Sequence, residues 1–348
     1  MKKFLAMILV TSMMVSLAAC SSGSGSSSES ASSSTDAETT ISDETYELRF
    51  AIVSSATHTH NKSIVEWAEG VYEDTNGRLS ITLLDSGQLG GERDYVESLQ
   101  LGSLDMMQVS ASVVGNFLPD YNIMSLPYLF ETYDDIENIT SGPIGENLFE
   151  QLEGIGIVGL TWFSNGFRSV YSNTPDVTTP AELNGVKIRV MESTVMINSL
   201  NAMGASAVPM SYSEVYTSIQ QGVLDGAENA LGNILSDKFY EVCKELTLTE
   251  HFATPGVVAI SQKSFNALPA DLQEYLIEAS KELGEIEMEM DKVDQAAALD
   301  ELVAFGMNVT EVDKESFVTA GQSIYASSCA DVSDEVKGLL TSELGIEF

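Results

Sequence analysis

Residues 46–53 alternate polar and apolar side chains and then run apolar, the pattern of a strand entering a buried sheet. Helical spacing follows over 64–76 and stops at Gly77, a residue that favours helix ends, before a second strand at 79–84. A helix over 93–101 and a strand over 104–109 complete a β-α-β-α-β order, which predicts a mostly parallel sheet with helices on both faces. Residues 155–163 and 186–190 are further apolar strands flanking a turn region at 175–185, and 213–221 reads as a helix ended by Gly222. Pro269 opens a helical stretch rich in Ala, Leu, Glu and Met that reaches about Phe305. Its length exceeds the usual globular helix, so it is expected to span two domains. Two α/β lobes with crossing connections place a ligand between them, at the carboxyl ends of strands.

At 348 residues the chain exceeds the size at which a single core stops growing, which also predicts two domains. Its 44% apolar and 20% charged residues exclude wholesale disorder. The charge balance changes the picture more: 16 Lys and Arg against 52 Asp and Glu leave a net −36. A nucleic-acid partner needs a basic face to displace counterions from phosphates, and no such face is available here. Docking on an anionic membrane by charge alone is equally disfavoured. Any basic side chain inside a cleft therefore stands out.

The N-terminus reads as a processing segment. Lys2 and Lys3 precede an apolar stretch, 4–17, too short to span a bilayer comfortably, and Leu17-Ala18-Ala19-Cys20 has the form of a bacterial lipobox. Residues 1–19 are expected to be a lipoprotein signal peptide, with Cys20 lipidated after cleavage. Residues 20–45 follow as a tether, because the ten serines between Ser21 and Ser34 cannot build a core. Cys243 and Cys329 are expected to stay unpaired.

Motifs of catalysis are absent: there is no nucleophile elbow, no P-loop and no zinc-protease helix. His58-Thr59-His60 places two imidazoles close together without a Cys or carboxylate cluster beside them, so it reads as a polar loop and no metal is expected. Arg189 sits on 185–190, where Lys187 and Arg189 point one way and Ile188 and Val190 the other. Arg168 follows Asn165-Gly166-Phe167 where the preceding strand ends. Either guanidinium can hold a ligand carboxylate in a two-pronged pair or form a salt bridge with one of the many acids. Asp225-Gly226-Ala227-Glu228-Asn229 looks like turn and cap chemistry.

These pieces assemble into a recognisable order. Gln88-Leu-Gly-Gly-Glu-Arg93, Gly102-Ser-Leu-Asp105, Leu126-Pro-Tyr-Leu-Phe130, Asn165-Gly-Phe-Arg168, Gly185-Val-Lys-Ile-Arg-Val190, Ser213-Glu-Val-Tyr216, Gln221-Gly-Val-Leu-Asp-Gly226, Glu228-Asn229 and Lys238-Phe-Tyr-Glu-Val242 follow one another along the chain. Together they resemble the extracytoplasmic substrate-binding proteins of TRAP transporters, the DctP type, over about residues 46–335. The resemblance implies a bilobal, periplasmic-binding-protein-like α/β fold with a long domain-spanning helix. The N-terminal lobe would take 46–165 with about 255–290, and the C-terminal lobe 166–254 with about 291–348. It also implies capture of an organic acid and delivery to the small and large subunits of a membrane permease driven by an ion gradient, without a cofactor. In the family pattern Arg189 clamps the ligand carboxylate, Arg168 and Asn229 are further contacts, Glu92 faces them from the N-terminal lobe, and Tyr212 forms a wall. Two departures are Ala227 for Gln and Ala230 for Pro; neither removes the Asn. The segment Ser110-Ala-Ser-Val113 lacks the acid and arginine of sialic acid binders.

Glu92, Glu192 and the polar groups Ser54, Ser55 and His58 would accept from or donate to hydroxyls, which favours a sugar acid such as a hexuronate over a C4-dicarboxylate. A monomeric, lipid-anchored receptor on the outer face of the cell membrane is the expected product. The alternatives are a C4-dicarboxylate or other keto- or hydroxy-acid binder of the same family, a sensor module, and a lipid-anchored hydrolase or lyase, for which Glu92 with His58 is the acid–base candidate.

Overall fold

The computed structural model describes residues 44–346. The lipobox, Cys20 and nearly all of the tether lie outside them. Among the described residues no helix is long and apolar enough to cross a membrane.

Among the described residues eleven strands form two sheets. The first contains β1 (Tyr46–Ala51), β2 (Leu79–Leu84), β3 (Met106–Ser110), β4 (Ile157–Phe163) and β10 (Gly256–Ser261), in the order β2-β1-β3-β10-β4. The second contains β5 (Phe167–Ser172), β6 (Lys187–Val190), β7 (Ser206–Pro209), β8 (Gly226–Ala230), β9 (Glu245–Ala253) and β11 (Asn308–Glu311), in the order β11-β9-β5-β8-β6-β7. The expected parallel core is present, since β1 pairs in parallel with β2 and β3, and β6 with β7 and β8. Each sheet also holds an antiparallel strand delivered from the other: β10 lies between β3 and β4, and β5 between β8 and β9. The chain therefore crosses directly from strand to strand at two points, from β4 to β5 and from β9 to β10, and passes between the sheets a third time, from β10 to β11, through a long helix.

At the first crossing Asn165 and Gly166 both adopt left-handed backbone, with φ of 58° and 61°. A Cβ on Gly166 would crowd mainly the amide end of the Gln295 side chain, which can shift, so glycine serves this turn chiefly through its left-handed backbone. The segment 225–229 is not the turn expected from its composition. It enters β8, whose five residues are all buried, and Gly226 lets β8 approach β5 closely: a Cβ there would meet the Tyr171 carbonyl at 2.2 Å.

Helix α1 (Thr59–Asp74) begins earlier than its apolar spacing suggests, because His58 caps it, its ring accepting the His60 N–H at 3.1 Å. Helix α2 (Glu92–Leu101) ends at Gly102 in left-handed conformation. The long helix Ala270–Ala304 packs on α1 and β4 at one end and on helix Leu231–Ser236 at the other, so it touches both lobes. The last helix, Asp334–Leu344, returns to the first lobe, where Val336 and Leu340 share a core with Ile144 and Leu148. The expected division, which gave everything past 291 to the second lobe, differs there. Cys243 and Cys329 are buried free thiols in separate cores.

Candidate functional site

Between the two sheets lies a cleft with about 440 Å³ of space between atoms, its open mouth included. The first lobe lines it with Ser54 after β1, His60 in the first turn of α1, Glu92 at the first position of α2, and Gln108 and Ser110 on β3. The second lobe contributes Arg168 on β5, Arg189 and Met191 from β6 and its end, Tyr212, Asn229 on β8, and Asn233. Asn165 enters from the first crossing.

The two arginines, each 3% exposed, have different fates. Arg168 is committed. Its Nε and Nη2 donate to the Glu228 carboxylate at 2.6 and 3.0 Å, Nη2 also donates to the Glu228 carbonyl at 2.9 Å, and Nη1 to Asn229 Oδ1 at 2.7 Å. Burial alone lowers its pKa, but the Glu228 carboxylate beside it more than reverses this, and the charge is locked in. Arg189 donates only Nε, to the Met210 carbonyl at 2.8 Å, and its guanidinium lies 5.6 Å from the centre of the Tyr212 ring. Among the described residues it has no carboxylate in salt-bridge contact. Burial without an acid partner pulls its pKa down. A desolvated guanidinium with most of its donors unused is costly until an anion reaches it.

Glu92 occupies the opposite wall. Its Oε1 accepts from the Ser110 N–H at 2.9 Å and the Ser110 hydroxyl at 3.0 Å. Burial pushes its pKa up, while these two bonds and the fields of Arg189 and Arg168 hold it back. Tyr212 donates its hydroxyl proton to Asp237 at 2.5 Å and accepts from Asn229 Nδ2 at 3.3 Å, which fixes the ring as a wall. Ser54 lines the cleft while its hydroxyl donates to Asn61 at 2.6 Å.

Two expected site residues lie elsewhere. His58 is spent as the α1 cap and is buried behind the cleft, where desolvation holds its pKa well below the usual histidine value; it does not pair with Glu92. Glu192 is exposed, because the chain turns outward after the buried run 188–191 at the end of β6. The pair His58–Thr59–His60 is no loop either, since its second half opens α1.

Several lining residues escaped the sequence reading. Gln108 is a polar position inside an apolar strand, a signal available to inspection. Asn165 lies in the quoted Asn-Gly-Phe-Arg segment; its amide accepts from Gln108 at 3.2 Å and donates to the Thr254 carbonyl at 2.8 Å, tying both crossings to β3. His60 meets Glu287 of the long helix, Nε2 to Oε1, at 3.0 Å. Asp291, one turn further on, accepts from Ser164 Oγ at 2.5 Å, Tyr133 at 3.2 Å and Gln295 at 3.2 Å, while the Ser164 N–H donates to Glu287 Oε2 at 2.8 Å. His60, Glu287 and Asp291 have the residue types of a metal centre, with ligand atoms within 4.8 Å of one another. Three of the four carboxylate oxygens already accept hydrogen bonds and the fourth faces the imidazole, so the cluster reads as a hydrogen-bonded charge network. Burial, with Glu287 adjacent, raises the Asp291 pKa to about 6.

The model of the bacterial extracellular solute-binding proteins, family 7 (DctP), matches residues 50–331. A solute-binding protein of Verminephrobacter eiseniae is 35% identical over 270 residues, 77% of this chain and 81% of its own. A TRAP periplasmic solute binding protein from Sulfitobacter sp., solved with bound β-D-galacturonate, superposes with a TM-score of 0.81 at 30% identity, over 85% of this chain and 98% of that one. Another from Citrobacter koseri, with bound D-glucuronate, also gives 0.81 at 30% identity, over 86% and 99%.

Proposed function

The chain belongs to family 7 of the bacterial extracellular solute-binding proteins, the DctP family, and on that premise we propose that it captures a sugar acid, a hexuronate, between its lobes and hands it to a TRAP permease. The observation that carries this reading is Arg189, a buried guanidinium with no acid partner among the described residues. One carboxylate fits its planar fork through two parallel hydrogen bonds. Arg168 adds its remaining N–H, aimed by Glu228, and Asn229 and Tyr212 frame the same end. Glu92 on the far wall accepts from hydroxyls and repels a second carboxylate. Beside Val53, His60 and Met191, the rest of the lining is amide and hydroxyl, suited to the polyol part of a sugar acid. The uronates bound by the two structural neighbours support the same class.

Closure on the ligand would turn on the two crossings, residues 164–166 and 254–255, with the lobes divided there. Lipidation of Cys20 would hold the receptor on the extracytoplasmic face, with 20–45 as tether and the small and large permease subunits as partners. The protein acts as a receptor in this reading, and mass spectra of the ligand before and after incubation should be identical.

Thermal shift tests the ligand class. Glucuronate or galacturonate should raise the melting temperature more than succinate or malate at equal concentration, because a ligand bound only by the native state stabilises it by mass action. The reverse order would retire Glu92 as a hydroxyl acceptor.

A further inference from the structure

Of the three histidines in the chain, His60 is the one whose ring both lines the cleft and touches an acid at ion-pair distance. Both His60 and Glu287 are buried, so the carboxylate needs a counter-charge close by, and the imidazole at 3.0 Å is placed to supply it. The surroundings favour the imidazolium. From the long helix Glu287 and Asp291 face it, with Asp294 held by the Thr59 hydroxyl just beside. Glu92 faces it from α2; on its own element the His58 ring lies 4.2 Å away, and Phe163 of β4 lies at 5.3 Å. Arg189 and Arg168 line the same cleft from the second lobe, Arg168 already neutralised by Glu228. Burial alone lowers the His60 pKa, and the acids, Glu287 foremost, more than reverse this.

We propose that His60 is a specificity-determining residue of the cleft: it stands as imidazolium beside the captured acid, and capture of the anion is coupled to holding that proton. The inference rests on the solute-binding reading. Its logic is one of charge. With His60 protonated, the His60–Glu287 pair is neutral and the ligand carboxylate meets Arg189 unopposed. Without the proton, Glu287 becomes an uncompensated buried anion directly behind the lining residue His60, near Asp291, and repels the acid. By linkage the bound anion strengthens proton binding, and the proton strengthens anion binding. Affinity is therefore greatest below the raised His60 pKa and falls as pH rises through it, by up to about tenfold per pH unit for one linked proton. Arginines cannot provide such a response, because they stay charged at every pH of interest.

The test is calorimetric titration with D-glucuronate from about pH 5.5 to 9, in buffers of low and high ionisation heat, on the full chain and two variants. The wild type should bind more weakly as pH rises and take up protons within the same window. His60→Gln, which keeps a polar side chain but cannot titrate there, should bind with a markedly flatter profile and less proton exchange, the remaining slope being that of Asp291, which titrates near 6. Glu287→Gln should move the inflection to lower pH, since it removes the counter-charge while sparing the imidazole; that shift decides the matter if His60→Gln fails to fold. A flat wild-type profile, an unchanged profile in His60→Gln, or an unmoved inflection in Glu287→Gln overturns the coupling while leaving the uronate reading intact. Absence of glucuronate binding at every pH overturns both together.

Discussion

Arg168 and Arg189 carry the same charge, burial and cleft, and differ in whether an acid answers them. This difference predicts opposite behaviour on mutation. Arg189→Ala should cost roughly 3–5 kcal/mol of binding, about two to four decades in affinity, because the ligand charge is left unpaired among buried side chains. Arg189→Lys keeps the charge without the fork and should still lose more than about tenfold. The ligand-free melting temperature of Arg189→Ala should hold or rise, since a partnerless buried cation is removed. Glu228→Gln should do the reverse, stranding the Arg168 guanidinium and lowering ligand-free stability by about 3–5 kcal/mol. Melting curves beside titrations of these variants separate clamp from scaffold; retained affinity in Arg189→Lys would sink the clamp.

The long helix brings the strands' crossing point under electrostatic control. Glu287, Asp291 and Gln295 follow at one-turn intervals on one face, and through Ser164 the first two hold the segment between β4 and β5. Asp291 carries a pH signature of its own. Its folded pKa, about 6, lies above the unfolded value, so the folded state binds this proton more tightly. The resulting stability is present in acid and is lost as pH rises through about 6. Asp291→Asn keeps an acceptor for Ser164 but cannot titrate. The melting temperature of the wild type relative to this variant should therefore fall between pH 4 and 7 (roughly the span from the unfolded to the folded pKa). A difference that stays constant over that range would mean the carboxyl is not titrating.

For the whole molecule, net charge and anchoring set the working geometry. A full chain carrying −36 gains nothing from an anionic membrane surface, so attachment has to come from somewhere other than charge. If Cys20 bears lipid, Cys20→Ser should release the protein into medium or periplasm with its melting temperature unchanged, since the substitution leaves every residue of 44–346 as it is. Metabolic labelling with a fatty-acid probe that never marks the wild type would defeat the anchoring idea. Both lobes share the long helix and two crossings, so the proposed closure would be a motion of a few segments about a common frame.

Side-chain periodicity is a local property, and what rests on it was readable from the sequence. The strand–helix alternation of the first lobe, the helix Ala270–Ala304, the placement of Arg189 on a buried strand and the ordered motifs that mark the family all come from neighbours within a few residues. Partnerships across long stretches of chain were decided by topology. Arg168 and Glu228, 60 residues apart, meet because β5 and β8 are antiparallel neighbours, which turned one of two equivalent-looking arginines into a fixed ion pair. The long helix delivered Glu287 to His60, so the second histidine of the pair reached the cleft while the first capped a helix. Glu192 went to solvent because a strand end turned after Met191. A charge in a sequence has many candidate partners within reach of a folded chain, and only the packing of the two sheets selects one or leaves it free for a ligand.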